Sequence, residues 1–326
     1  AAVLIMGAIA VVYTVMGGLK AVIYTDTVQW IILMGGLIFI GIPMAYYQIG
    51  GIEAIRATVK PELLTFNNLQ WQDAFNWMIT IVPIWFVGMT LYQRIYASAG
   101  EKQAKKAWFI AGLFEWPIMA LMGVLLGLFS RVALEQGLFA QQGFTSLEMM
   151  DAEMGLPLLL RNILPVGLMG LMMSAYFSAV LSTADSCLMA ASGNMVTDIV
   201  MRFKKISDKG QLKLSQILTL ALGAVAIIIA VSFESVLDLM LHSYAFMVSG
   251  LFVPVVGFLV VKKPNSSAAF AAMLIGGLTT VCLIAFSIKM PWGLDANVFG
   301  ITASALCFII IQKAKIDFFK YQPLKS

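Results

Sequence analysis

The chain has 326 residues, 60 % of them hydrophobic and 12 % charged, and a mean hydropathy of +0.90. A soluble domain carries about a quarter charged residues, so there is too little charge here to cover a water-facing surface, and the solvent for most of the chain is lipid. That excludes a soluble enzyme, a nucleic-acid binder and a disordered scaffold. The net charge of +4 matters through its distribution along the chain rather than as a total.

The chain starts at Ala1 inside an apolar run, with no basic flank or cleavage signal, and reads as a fragment whose N-terminal part is missing. A membrane-spanning helix needs about 20 mostly apolar residues. Nine stretches meet or approach that: 1–17, 21–45, 75–94, 107–130, 163–190, 212–232, 236–261, 267–288 and 296–312. None shows the alternation of a membrane barrel strand, so the expected class is all-α, with about nine transmembrane helices in one transporter-like domain covering 1–326. Gly17 and Gly18 predict a tight turn between the first two spans. The long connections 46–74 and 131–162 predict short surface helices. Cys187, Cys282 and Cys307 lie in apolar runs without metal spacing and read as small buried hydrophobes.

Alternating spans divide the loops into two sides. Sixteen of the 21 Lys and Arg fall on one side: Lys20, Arg94, Lys102, Lys105, Lys106, Arg202, Lys204, Lys205, Lys209, Lys213, Lys262, Lys263, Lys313, Lys315, Lys320 and Lys325. The remainder are Arg56, Lys60, Arg131, Arg161 and Lys289. The positive-inside rule places the first side in the cytoplasm, which puts the N-terminus of this sequence outside and its C-terminus inside a cell membrane.

Acidic residues inside spans are costly, about 2.5–3.5 kcal/mol for Asp on insertion scales, and usually face a bundle interior or a water-filled path. Asp26, Glu115 and Asp185 are such residues. The fifth span also carries Ser174, Ser178, Ser182 and Ser186, one every four residues, with Asp185 beside the last. At 3.6 residues per turn these form a polar stripe. Hydroxyl and carboxylate oxygens at one level suit a hard cation such as Na+. Close helix packing is the better account of Ser174 and Ser178 taken alone. It does not require the carboxylate of Asp185. Asp26, about one turn into the second span, is also placed to interact with a helix N-terminus. Pro83 and Gly88 predict a broken third span. His242, the only histidine, reads as a hydrogen-bonded packing residue.

Tyr13-Thr-Val-Met-Gly-Gly-Leu-Lys-Ala-Val-Ile-Tyr-Thr-Asp-Thr-Val-Gln29, Tyr92-Gln-Arg94, Leu164-Pro-Val-Gly-Leu-Met-Gly170, Ser182-Thr-Ala-Asp-Ser186 and Thr197-Asp198, in this order, resemble the sodium/solute symporter family. That family includes proline, sialic acid and sodium/glucose transporters. The resemblance implies a LeuT-type inverted-repeat fold, of which this sequence carries core helices four to ten plus two C-terminal helices. It implies Na+-coupled symport of a small organic solute by alternating access, without enzymatic chemistry and without a nucleic-acid partner. It assigns Ala179 (through its carbonyl), Ser182 and Thr183 to a sodium site. Asp26, Ser182, Asp185 and Ser186 fall at the positions of a second cation site found in some relatives, where Asp185 replaces a serine. Trp85, Met89 and Glu115 are assigned to the substrate site. Glu115 stands near a position where sugar-carrying relatives have lysine, which favours a cationic or zwitterionic solute. Two alternatives stay open from the residues alone: proton coupling through Asp26 or Asp185, and a transporter-like sensor domain.

Overall fold

The computed structural model describes residues 2–65, 69–232 and 235–317. Every regular element among them is helical. Helix α1 (Ala2–Gly36) passes through a π-helical turn at Leu37–Gly41 into α2 (Ile42–Gln48), and α3 (Gly51–Thr58) follows. Next come α4 (Trp71–Val87), α5 (Met89–Tyr96) and α6 (Glu101–Leu113), which continues through the π-helical Phe114–Met119 into α7 (Ala120–Glu135). The remainder are α8 (Gly155–Ile163), α9 (Val166–Asn194), α10 (Met201–Phe203), α11 (Asp208–Ser232), α12 (Val236–Val260), α13 (Ser266–Ala285) and α14 (Ala296–Ala314).

Eight of the described helical runs are long and apolar enough to cross a membrane, and Leu4–Gly17 is a shorter apolar segment. Many large apolar side chains on these runs are exposed, such as Val180, Ile228 and Leu278. A soluble fold would cover them, whereas a bilayer solvates them without cost.

The backbone stays helical through Gly17 and Gly18, yet the chain turns back sharply between Tyr13 and Thr25, where the double glycine predicts a turn. Tyr13 Oη and Thr25 Oγ1 lie 3.0 Å apart although twelve residues separate them. On a straight helix twelve residues rise about 18 Å, more than these two side chains reach. Glycine permits such a sharp change of direction. Pro83 likewise does not break α4, which runs on to Val87. The break falls at Gly88, whose φ of −69° and ψ of 106° are extended. The expected surface helices in the long connections are present as α3 and α8, with short 3-10 turns beside them. The cysteines are a correction: Cys187 and Cys282 are exposed and Cys307 is half-buried, because they face outward from their helices. Lys320 and Lys325 lie outside the described residues, as does the side chain of Lys20.

The chain divides into two compact units, residues 1–66 with 93–229 and residues 67–92 with 230–326. In the first, α1 packs along α9, and an apolar core gathers Met34, Ala45, Phe129, Val132, Leu159 and Met172 from α1, α2, α7, α8 and α9. In the second, α12, α13 and α14 pack so closely that a Cβ on Gly276 would lie 2.1 Å from the Ser249 carbonyl oxygen. Helix α4 joins them through Asn297 Nδ2, which donates to Thr80 Oγ1 at 2.6 Å, and through Asn76 Nδ2, which donates to the Gly293 carbonyl at 2.9 Å. Buried polar pairs of this kind align helices where apolar surface alone gives no preference between helix and lipid.

Candidate ion site on α9

The residues expected to hold sodium come together on one turn of α9. Ser182 Oγ donates to the Ala179 carbonyl at 3.0 Å and Thr183 Oγ1 to the same carbonyl at 3.4 Å. Three oxygens are thereby focused at one level of the helix. Hydroxyl and carbonyl oxygens at such separations are what a hard cation with metal–oxygen distances of about 2.3–2.6 Å gathers around itself. Both hydroxyls bond an i−3 or i−4 carbonyl, which holds their rotamers while leaving each oxygen lone pairs.

One turn further on, α9 meets α1. Asp185 is 1 % exposed and Thr14 3 % exposed, and Thr14 Oγ1 donates to Asp185 Oδ1. The same hydroxyl lies 2.7 Å from the Ala10 carbonyl of its own helix. Ser186, also buried, donates to the Ser182 carbonyl at 2.8 Å and accepts from Arg94 Nη2 at 2.7 Å. Arg94 Nη2 lies 3.0 Å from Asp26 Oδ2, with side-chain exposures of 38 % and 21 %. Asp26, Asp185 and Ser186 therefore occupy one neighbourhood of the first unit, linked through Arg94 and Thr14. Neither partner was singled out as a site residue from composition or spacing. Arg94 stood out only as the end of the Tyr-Gln-Arg string, and Thr14 only as part of the first matching string.

Trp85 and Met89 flank the Gly88 break. Trp85 packs against an apolar cluster built on Ile84, Val87 and Val248 within the second unit. Glu115 lies in the first unit, in the π-helical stretch Phe114–Met119 together with Pro117. A π-helical turn inserts one extra residue into the helix and redirects the side chains around it, a geometry frequent at functional sites.

Among the described residues the chain is helical throughout, with runs long and apolar enough to cross a membrane several times and carboxylates gathered around a hydroxyl-rich helix. The chain belongs to the sodium:solute symporter family, whose model matches residues 1–276. It is 26 % identical over 322 residues to sodium/glucose cotransporter 1 of Ovis aries, covering 86 % of this chain and 48 % of that protein. It is 27 % identical over 282 residues to the high-affinity choline transporter 1 of Torpedo marmorata, covering 84 % and 47 %. A solved structure of a Na+-coupled sialic acid symporter matches 96 % of this chain and 66 % of its own length, with a TM-score of 0.74 at 21 % identity. The LeuT-type fold expected from the matching strings is thus the fold of this chain. The chain spans about half the length of the curated relatives it matches.

Proposed function

We propose that the protein is a secondary active transporter that couples the inward movement of Na+ to that of a small organic solute. The observation that carries this reading is the convergence of Ser182 Oγ, Thr183 Oγ1 and the Ala179 carbonyl on one turn of α9 in a member of this family. Sodium is a transported ion here, not a resident cofactor. In this reading the ion binds these oxygens in the state open to the outside and favours the arrangement that accepts solute. Differential affinity between the two states is enough to drive the cycle, and no covalent step is required. A membrane potential adds about 2.3 kcal/mol per charge per 100 mV to the sodium gradient.

Asp26, Ser182, Asp185 and Ser186 form the candidate second cation site; Trp85 and Met89 in the second unit and Glu115 in the first are each candidate substrate residues. The carboxylate of Glu115 favours a cationic or zwitterionic solute, and the choline transporter among the similar proteins is in keeping with a cation. The direct test is uptake of a panel of labelled cationic, zwitterionic and neutral solutes by the full-length protein, with Na+ and with choline-free K+ buffers. Uptake that needs neither a sodium gradient nor a potential removes the proposal.

The basic residues place the loop around Gly100 and that around Asp208 in the cytoplasm of a cell carrying the protein in its plasma or inner membrane. Cysteines introduced at Gly100 and Asp208 are then shielded from an impermeant external thiol reagent, and one at Gln141 reacts. External labelling at Asp208 reverses the orientation.

A further inference from the structure

Arg94 touches two of the atoms assigned to the candidate second cation site. Its Nη2 is 3.0 Å from Asp26 Oδ2 and 2.7 Å from Ser186 Oγ. The remaining oxygen of the same carboxylate, Asp26 Oδ1, is buried without a hydrogen-bond donor among the described residues. An acceptor oxygen left so on the carboxylate that the guanidinium holds is short of positive charge. Buried polar groups left in this way point to a water or an ion. Asp26 and Asp185 bring two carboxyl groups to the guanidinium of Arg94 among the described side chains. A cation is therefore attracted to the cluster, yet it meets Arg94 on the carboxylate it would use.

We propose that Arg94 is a tethered competitor for the second cation position, holding Asp26 and Ser186 when no ion is bound and giving them up when Na+ binds. The proposal rests on reading the protein as a sodium-coupled symporter. Arg94 sits six residues beyond the Gly88 break, on α5. Displacing its guanidinium therefore removes one of the contacts that hold the short helix following the break. Second-site occupancy and the freedom of α5 become linked quantities, and by thermodynamic reciprocity whatever draws Arg94 away tightens the ion. An arginine suits this role because it stays charged at any physiological pH.

The test is sodium activation of uptake by the full-length protein in wild type, Arg94→Gln and Arg94→Lys. Glutamine retains length and a hydrogen-bond donor but removes the charge. The half-activating sodium concentration is expected to fall roughly fivefold or more in Arg94→Gln, the lower end of ordinary site-to-site coupling, and to stay near wild type in Arg94→Lys. A second measurement keeps Arg94 in place. An Ala97→Cys protein, with the cysteine just beyond the end of α5, is expected to react faster with a thiol reagent when Na+ replaces K+. An unchanged or raised half-activating concentration in Arg94→Gln means that Arg94 holds the carboxylates in position and does not compete, which overturns the proposal. Equal Ala97→Cys reactivity in both salts overturns it as well. If sodium activates uptake while these results fail, only the role of Arg94 is lost. If sodium activates nothing in the wild type, the symport reading falls and takes this proposal with it.

Discussion

Thr14 and Asp185 are hydrogen-bonded across 171 residues of sequence, hydroxyl to carboxylate, each almost fully buried. This bond ties the bent helix α1 to α9 one turn from the candidate sodium oxygens. A carboxylate in a membrane interior costs less with such a partner, and the partner comes from the helix that also carries Asp26.

Replacing Thr14 by Val keeps the shape and removes the donor. Leaving a buried acceptor unsatisfied costs about 1–3 kcal/mol. Thr14→Val should therefore lower the denaturation midpoint of the purified full-length protein, and Thr14→Ser should restore it. In an Asp185→Asn background the Thr14→Val change should cost less. Additive losses in the double variant would mean that the two side chains are not energetically coupled.

Glu115 gives a separate expectation. If it lines the substrate path, Glu115→Gln should weaken solute affinity while leaving the sodium half-activation close to wild type. A carboxyl serving only the fold would instead reduce the amount of folded protein. Normal expression with unaltered affinity removes Glu115 from the site.

Asp295 precedes α14 without a capping bond from its side chain. Desolvation, then the neighbouring Asp73 carboxylate, push its carboxyl above the ordinary aspartate value, against an opposing pull from His242. The folded protein therefore binds this proton more tightly than the unfolded chain does, whose aspartate titrates near about 3.9. The stability it contributes is complete below that value and is lost as the pH rises through the higher folded-state value. Asp295→Asn should be indistinguishable from wild type at low pH and more heat-stable at pH 7. Parallel melting curves for the two proteins across this range would contradict the raised carboxyl.

How much of this was readable from the residues differs from element to element. The spans and the carboxylates that do not belong in lipid stand out because a bilayer penalises polarity strongly. The Ser182–Thr183–Ala179 cluster is legible because it is local: its oxygens meet within one turn of a helix. The pairing of Asp185 with Thr14, and of Asp26 with Arg94, is not local. It depends on how α1 packs along α9 and on where α5 begins, and neither periodicity nor composition encodes which distant side chain arrives. The break at Gly88, and not at Pro83, shows the same limit. Glycine and proline mark positions where a helix can deviate, and tertiary packing selects which of them does so.

The central claim is that oxygens of α9 bind the ion that drives transport. It is tested most directly by sodium titration of initial uptake in the full-length protein carrying Ser182→Ala or Thr183→Ala. Each substitution removes one of the converging hydroxyls with little change in volume. The account predicts that the half-activating sodium concentration rises severalfold, by the roughly 1 kcal/mol or more that a lost charge-assisted contact represents, with uptake recovering at high sodium. Sodium activation curves that superimpose on wild type in both variants would contradict it.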